Sequence, residues 1–126
     1  MDIKLTRLQE MLDSSENIVF FGGAGVSTES KIPDFRSDNG VYQQKQFRYP
    51  PEIMLSHEFY EEHTYDFFDF YITMIYPDAK PNPAHLKLAQ WEKEGKLKAI
   101  VTQNIDGLHQ MAGSEKVFEL HGSVKR

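Results

Sequence analysis

The sequence contains no cysteine among its 126 residues. Disulfide bonds are therefore excluded, and so is a zinc site built from thiolates of this chain. Long apolar runs are missing as well: none approaches the roughly 20 residues that a membrane-spanning helix needs. The first residues, MDIKLTRLQEML, lack the uninterrupted apolar core of a signal peptide. These absences predict a soluble cytoplasmic protein with no membrane partner.

Positive charge is also in short supply. The chain has 14 Lys and Arg against 19 Asp and Glu, which gives a formal net charge of -5 at pH 7. Because nonspecific binding of nucleic acid depends on dense Lys and Arg, we expect no specific nucleic-acid partner. The hydrophobic content of 40% is ordinary for a packed core. A chain of this length is enough for one domain, which buries roughly two-thirds of its unfolded surface.

The first two-thirds of the chain reads as helices around one strand. Apolar residues at near-helical spacing predict an amphipathic helix over residues 2–14. The continuous apolar run NIVFFG predicts a strand that is covered on both faces. Proline and glycine breakers predict a long loop over residues 32–51. Residues 56–76 read as one helix capped by Ser56, and its dense aromatic side chains predict a small helical lobe over about residues 40–80, with some of them also suited to wall an apolar pocket.

The remainder has the order expected of a parallel α/β sheet. NPAHLKLAQWEKEG predicts a well-punctuated helix, with Asn82 at the N-cap, Pro83 at the first helical position and Gly95 at C′. LKAIVTQ and VFEL then read as two further strands, separated by a short helix that Gly113 closes. Ligands of such sheets bind at the carboxyl ends of the strands. The glycine turn, the QNID loop and HGS each follow a strand directly, so we expect them to meet at one edge.

The glycine turn after the first strand is a partial dinucleotide-binding motif. Gly23 and Gly25 fill the first two places of G-x-G-x-x-G, but Thr28 stands in the third. Two glycines permit close approach of the backbone to a pyrophosphate, and the following helix start supplies N–H groups. A plain tight turn is the alternative interpretation.

Two polar segments near this edge favour ligand binding. In PDFR, Asp34 and Arg36 flank Phe35, so a guanidinium fork for phosphate or carboxylate stands beside a flat apolar wall; a solvated Asp–Arg pair beside a core Phe is the alternative. In TQNID, Gln103, Asn104 and Asp106 follow a buried strand. Amides and carboxylates in this position are suited to reading a carboxamide or ribose hydroxyls. Simple capping of the next helix would explain Asp106 alone.

His121 is the candidate for proton transfer, because it follows the third strand at the ligand edge and a glycine leaves it accessible. A structural histidine is the alternative, and we interpret His85 as a helix-start or core histidine. A serine hydrolase built from Ser27, Asp106 and His121 is rejected, since the nucleophile elbow requires G-x-S-x-G and the second glycine is missing. The histidines show no metal-ligand spacing, so no metal site is predicted within this chain.

Four segments, GAGVSTESKIPDFRS, KPNPAH, TQNIDGLHQMAG and ELHGS, resemble in their order and spacing the sirtuins, the NAD-dependent protein lysine deacylases. The resemblance covers nearly the whole chain. It implies an α/β fold with a Rossmann-like parallel sheet, flanking helices and a small helical lobe. It also implies that residues 1–126 are the N-terminal portion of a sirtuin catalytic domain, with the fold incomplete at the C-terminus. The zinc module of the family, with its cysteine ligands, and the remaining strands would then be absent.

The resemblance further implies a role for each residue at a matching position. NAD+ would be the co-substrate, and its binding residues would be Gly23, Ala24, Gly25, Thr28, Asp34, Phe35, Arg36, Gln103, Asn104, Ile105, Asp106 and His121. Gln103 would contact the ribose, and Asp106 would grip the nicotinamide carboxamide. His121, with Asn104 and Asp106, would form the catalytic set, His121 serving as general base. Lys31 stands where the family commonly has glycine, which puts the geometry of the adjacent loop in question.

The implied reaction is NAD-dependent protein lysine deacetylation of acetylated protein substrates. The acyl-lysine carbonyl oxygen would attack C1′ of the nicotinamide ribose, and the products would be nicotinamide, deacetylated lysine and O-acetyl-ADP-ribose. Two alternatives stay open. One is mono-ADP-ribosyl transfer from the same NAD site. The other is a non-catalytic binding or interaction module that associates through an exposed sheet edge.

Overall fold

The computed structural model describes residues 2–43 and 47–125. Within these ranges the chain forms helices, strands and two 3-10 helices. The helices are α1 Ile3–Ser14, α2 Pro51–Met54, α3 His57–Glu62, α4 Thr64–Thr73, α5 Pro83–Lys93 and α6 Leu108–Met111; the strands are β1 Ile18–Gly22, β2 Leu97–Thr102 and β3 Val117–Glu119; the 3-10 helices are Ala24–Ser30 and Val41–Gln43.

The three strands form a parallel sheet in the order β1-β2-β3, which confirms the predicted α/β class. The register aligns the last residues of the strands: Gly22 pairs with Thr102, and Thr102 pairs with Glu119. Helix α5 comes between β1 and β2 in the chain, and it packs on β2 through Leu88, which lies in one cluster with Leu97 and Ile100. The segments that follow these three residues therefore leave the sheet at one edge, as the order of the elements predicts.

One face of the sheet carries the core, whereas the other face is open. Buried Leu88, Leu97 and Ile100 form the core cluster, against which Ile18, Phe20, Trp91 and Val117 pack. On the opposite face Val19, Phe21 and Phe118 are each 58% to 63% exposed. The prediction that β1 is covered on both faces is therefore wrong for this chain. Helix α1 does not cover that face with its apolar side chains, because Ile3, Leu5, Leu8 and Met11 are themselves at least half exposed.

The predicted long helix over residues 56–76 is instead two helices. Helix α3 begins after Ser56, whose hydroxyl accepts a hydrogen bond from the Phe59 N–H at 3.1 Å, so the predicted cap is confirmed. The chain leaves helical geometry at His63, with φ −132° and ψ 53°, and α4 then ends at Thr73. The expected loop over residues 32–51 also contains the 3-10 helix Val41–Gln43, and Pro51 opens α2.

The aromatic side chains pack the small lobe. Val41, Met54, Phe59 and Phe70 are buried in one cluster, with partly buried aromatic residues around them. Phe47 meets Phe70 edge-on with ring centroids 4.9 Å apart, and Tyr49 meets Phe59 in the same way at 5.1 Å. Such edge-on aromatic pairs stabilise a fold by more than the burial of their apolar surface alone. The core interpretation of this stripe is thus confirmed for Phe59 and Phe70.

Candidate functional site

The loops after β1 and β2 meet at the carboxyl edge of the sheet. The Gln103 N–H donates to the Gly22 carbonyl at 3.0 Å, which extends the strand pairing by one residue. A side-chain carbon placed on Gly23 would lie 3.7 Å from the Gln103 amide nitrogen. The glycine turn and the QNID loop are therefore in contact, as the parallel topology predicts.

Asn104 ties these two loops together. Its side chain is 8% exposed, and its Nδ2 donates to the Gly23 carbonyl at 2.9 Å and to the Ser27 hydroxyl at 3.3 Å. Its backbone N–H donates to the Thr102 hydroxyl at 3.0 Å. A buried amide is costly unless it is hydrogen-bonded, and this one is bonded on both loops. Asn104 thus fixes the glycine turn against the end of β2.

A hydrogen-bond chain runs from α5 through Ser27 to Asp106. His85 Nδ1 accepts from the Asn82 N–H at 3.1 Å, so the proton of the neutral ring is on Nε2, which lies 3.4 Å from Ser27 Oγ and donates to it. The Ser27 hydroxyl in turn donates to Asp106 Oδ2 at 2.6 Å. The other carboxylate oxygen accepts the Leu108 N–H at 3.0 Å. Asp106 is therefore held through both oxygens, one toward α5 and one at the start of α6.

The hydrogen-bond chain described above begins at Asn82, which caps α5 and also bonds to the segment that follows the glycine turn. Its side chain accepts from the Ala84 N–H at 2.9 Å, and the predicted N-cap is confirmed. Its Nδ2 donates to the Val26 carbonyl at 2.7 Å and to Ser30 Oγ at 3.1 Å. Gly95 has φ 79° just past the helix, as the predicted C′ position requires. Asn82 therefore couples the cap of α5 to the 3-10 helix Ala24–Ser30.

Two buried histidines stand behind this chain. His85 is fully buried, and burial lowers its pKa from 6.5, with the Asp106 charge opposing the change. His109 on α6 is 1% exposed, and its ring lies edge-to-face on His85 with centroids 4.9 Å apart. Burial, and then the neighbouring His85, lower the pKa of His109 to about 4. Both rings are neutral at pH 7.

The glycine turn is open on its outer side. A side-chain carbon on Gly25 would meet no atom within 4 Å, and the residue is exposed. Ala24 opens the 3-10 helix, and Thr28 turns its hydroxyl to the Gly25 carbonyl at 3.0 Å. Lys31 ends this helix in the left-handed region with φ 65°. This conformation favours glycine, so the lysine keeps the backbone geometry that a glycine would adopt there.

The Asp34–Arg36 segment is anchored on the small lobe. Phe35 packs against the lobe core and lies 5.4 Å from the Tyr42 ring, and the exposed Arg36 guanidinium lies 5.4 Å from the centre of the same ring. The Asp34 carboxylate accepts hydrogen bonds from the N–H and the hydroxyl of Ser37. The structure thus places this segment with the lobe rather than within the polar cluster around Asp106.

His121 lies on an exposed turn just past β3. The Gly122 N–H donates to the Glu119 carbonyl at 3.3 Å, and Gly122 has φ 79°. The Leu120 N–H donates to the Thr102 carbonyl at 3.0 Å, and the Val124 N–H donates to the carbonyl of the half-buried Ile105, also at 3.0 Å. The turn that carries His121 is therefore hydrogen-bonded to the end of β2 on one side and to the QNID loop on the other.

Four residues of this polar cluster, Ser27, Asn82, His85 and His109, are not among the binding residues predicted from the sequence. The sequence predicts Asn82 as an N-cap and His85 as a helix-start or core histidine, and both belong to the capping box of α5. Ser27 enters the sequence interpretation only in the rejected serine hydrolase. In the part of the chain that the structure describes, no group of three or more His, Asp or Glu side chains could hold a metal ion. Within the same ranges no helix is long and apolar enough to cross a membrane.

Comparison with known proteins adds independent information. The NAD-dependent protein deacetylase of Clostridium acetobutylicum is 65% identical over 125 residues, which are 98% of this chain and 51% of that protein. The NAD-dependent protein deacetylase of Clostridium tetani is 69% identical over 121 residues, 94% of this chain and 49% of that protein. This chain spans about half the length of the curated relatives it matches.

Solved structures and a family profile agree with these relatives. A Sir2 protein with a deacetylated p53 peptide and 3′-O-acetyl ADP ribose matches with a TM-score of 0.85 and 42% identity, over 95% of this chain and 48% of that one. A Sir2 complex with a p53 peptide and NAD+ matches with a TM-score of 0.77 and 44% identity, over 97% and 47%. The Sir2 family profile matches residues 23–126. The chain belongs to the Sir2 family.

Proposed function

We propose that the protein acts in NAD-dependent deacetylation of protein lysine residues, and that this chain carries the nicotinamide and ribose part of the site. One observation carries the proposal: Asp106 is fixed at the carboxyl edge of the sheet by Ser27 and the Leu108 N–H, beside the glycine turn. Support comes from the relatives named NAD-dependent protein deacetylase and from the Sir2 structures with peptide, NAD+ and acetyl ADP ribose.

The residues present fit NAD+. Each carboxylate oxygen can accept two hydrogen bonds. In Asp106 one position on each oxygen is filled, by the Ser27 hydroxyl and by the Leu108 N–H. The other positions are left for the N–H groups of a carboxamide. The open backbone at Gly25 leaves room for a phosphate. When bound, NAD+ supplies an electrophilic ribose carbon, from which nicotinamide departs, and hydroxyls that accept the acyl group.

Each predicted residue has a proposed task in this arrangement. Asn104, Ile105 and Asp106 form the nicotinamide pocket, and Asp106 orients the carboxamide. Gln103 binds the ribose beside Gly23. The phosphates and the adjoining ribose are bound by the glycine turn, namely Gly23, Ala24, Gly25 and Thr28.

The two outer segments complete the proposal. Asp34, Phe35 and Arg36 close over the bound dinucleotide from the small lobe, with Asp34 shaping the turn and the exposed Arg36 guanidinium available for an anion. The exposed His121 acts as the general base that takes a proton from a ribose hydroxyl. Acetyl-lysine protein substrates are the partners that this chemistry requires.

A chimaera tests the reaction. This chain replaces the matching 125 residues of the Clostridium acetobutylicum relative, and nicotinamide release is measured with NAD+ and an acetyl-lysine peptide. We expect release, and a loss of about 10²-fold or more in His121→Ala, the usual contribution of a general base. His57→Ala is the matched control, because His57 is an exposed histidine of the small lobe. No release from the chimaera, or equal losses in the two variants, would contradict the proposal.

Binding by the 126-residue chain is tested separately. Saturation-transfer NMR with nicotinamide and NAD+ should show contact with the wild type. Asp106→Asn should weaken it about tenfold or more, since a donor amide replaces an acceptor oxygen. Asp78→Asn, a change at an exposed site, should leave it unchanged.

A non-catalytic interaction module is the second candidate function, and the open sheet face favours it. Val19, Phe21 and Phe118 present apolar surface at both edge strands. Size-exclusion chromatography of the chain would show association through this surface, whereas a well-folded monomer would contradict it.

Mono-ADP-ribosyl transfer is the other alternative. Labelled NAD+ incubated with the chimaera and an unacetylated protein would reveal it.

Two further expectations belong to the same proposal. A zinc module of the family type would need cysteine ligands that this sequence does not contain. The cytoplasm is the proposed location, and cell fractionation tests it.

A further inference from the structure

His109 is a buried polar residue that none of the proposed steps uses. Its side chain is 1% exposed, and neither ring nitrogen has a hydrogen-bond partner within the described residues. An unpaired polar group in a core costs free energy that an apolar ring of the same size would not. Packing alone therefore does not account for this ring, and its contacts indicate what it does.

The contacts of His109 converge on His85. The two imidazoles meet edge-to-face at 69° with centroids 4.9 Å apart, and the centroid of the Phe20 ring lies 5.9 Å from that of His109. His85 itself is fully buried. His109 thus forms part of the wall that separates the His85 ring from water on the α6 side.

The state of His85 matters for the rest of the site. Its Nδ1 must stay unprotonated to accept the Asn82 N–H, and its Nε2–H must point at Ser27. A second proton on the ring would remove the acceptor and break the link at Asn82. The Nε2–H that donates to Ser27 would remain, but the ring that carries it would no longer be fixed to the backbone at the start of α5.

We propose that His109 is a positioning residue: by its edge contact and by excluding water, it keeps the His85 ring in the neutral Nε2–H form that links Asn82 to Ser27 and Asp106. The groups that face this pair are Asp106 from the QNID loop, His85 from α5 and His109 from α6. Asp106 favours protonation of either imidazole, whereas burial opposes it in both and His85 also opposes protonation of His109. Only the consequence for nicotinamide binding depends on the proposed function.

The test is NMR of the 15N-histidine-labelled 126-residue chain. The ring nitrogen shifts report the His85 tautomer, and a pH titration reports its pKa. We expect His109→Ala to raise the His85 pKa toward its ordinary value of 6.5, so that the doubly protonated ring is populated at a higher pH than in the wild type. His109→Phe retains a ring and excludes water, so it should keep the wild-type tautomer and low pKa.

Leu108→Ala is the matched control, because Leu108 is buried to the same extent on the same helix. If it shifts His85 as much as His109→Ala does, general loosening of α6 explains the effect and the proposal is wrong. An unchanged His85 in His109→Ala, or a lost tautomer in His109→Phe, would overturn it too. His109→Val leaves a smaller gap and serves if the alanine variant does not fold, with the same direction expected. Every readout is independent of catalysis, so a failed deacetylation assay leaves this test intact.

Discussion

Replacing Asn82 by alanine removes three hydrogen bonds of one buried side chain. The cap bond to the Ala84 N–H is lost, and so are the bonds that Nδ2 donates to the Val26 carbonyl and Ser30 Oγ. Loss of an N-cap costs about 1 kcal/mol. Each of the two long-range bonds adds about 1 kcal/mol, because its acceptor stays in a protein interior without a donor. We therefore expect Asn82→Ala to lower the free energy of unfolding by about 3 kcal/mol.

Ser56→Ala provides the calibration for this prediction. Ser56 caps α3 through one hydrogen bond to the Phe59 N–H, within a local segment. It should cost about 1 kcal/mol. Asn82→Asp is a second comparison, because it keeps the cap acceptor but places a carboxylate oxygen against the Val26 carbonyl. It should lie closer to the alanine variant than to the wild type.

Urea unfolding followed by circular dichroism measures all three variants. The difference between Asn82→Ala and Ser56→Ala corresponds to roughly 8 °C in melting temperature for a domain of this size. If Asn82→Ala costs no more than Ser56→Ala, the coupling between α5 and the glycine turn contributes nothing, and the structural argument fails.

Three other predictions concern single positions. Lys31→Gly should raise stability by about 0.5–1 kcal/mol, because the left-handed backbone at φ 65° strains a lysine, whereas Lys87→Gly inside α5 should lower it by about 1 kcal/mol; urea unfolding compares them. Gly122→Ala should cost about 1 kcal/mol by the same measurement, since φ is 79° and a side chain there meets no atom. The unfolded chain binds a proton at His109 near pH 6.5 and the folded chain only near 4, so stability should fall by about 3 kcal/mol as the pH drops from 6.5 to 4. His109→Phe should flatten this slope, and an equally steep curve in that variant would refute the assignment.

The fold was predictable where local signals are strong. Helix α5 carries Asn82, Pro83 and Gly95 at the positions that capping requires, and its bounds agree with the prediction. The break at His63 was not predictable, because neither glycine nor proline marks it. The exposed face of β1 was not predicted, for another reason. An apolar run indicates that a strand is able to bury both faces, but tertiary packing decides which elements cover them.

The site was predictable only as a meeting of loops. Parallel topology brings the ends of β1 and β2 together, so contact of Gly23 with Gln103 follows from the order of elements. The bonds that give the site its geometry join residues far apart in sequence: Ser27 is 58 residues from His85 and 79 from Asp106. Spacing rules for helices and strands operate over a few residues and contain no information on such pairs.

The hydroxyl of Ser27 shows why this arrangement favours a preformed site. It accepts from His85 and Asn104 and donates to Asp106, which uses its single proton and both of its acceptor positions. Because both acceptor positions of the Ser27 hydroxyl are filled, its proton stays directed at Asp106. Asp106 therefore keeps one orientation before any ligand binds. The remaining acceptor positions of the carboxylate then point in a fixed direction, and binding need not pay the entropy of ordering them. For this reason Ser27→Ala should weaken nicotinamide binding without removing a ligand contact, and Thr28→Ala, on the exposed side of the same helix, should not affect the orientation of Asp106.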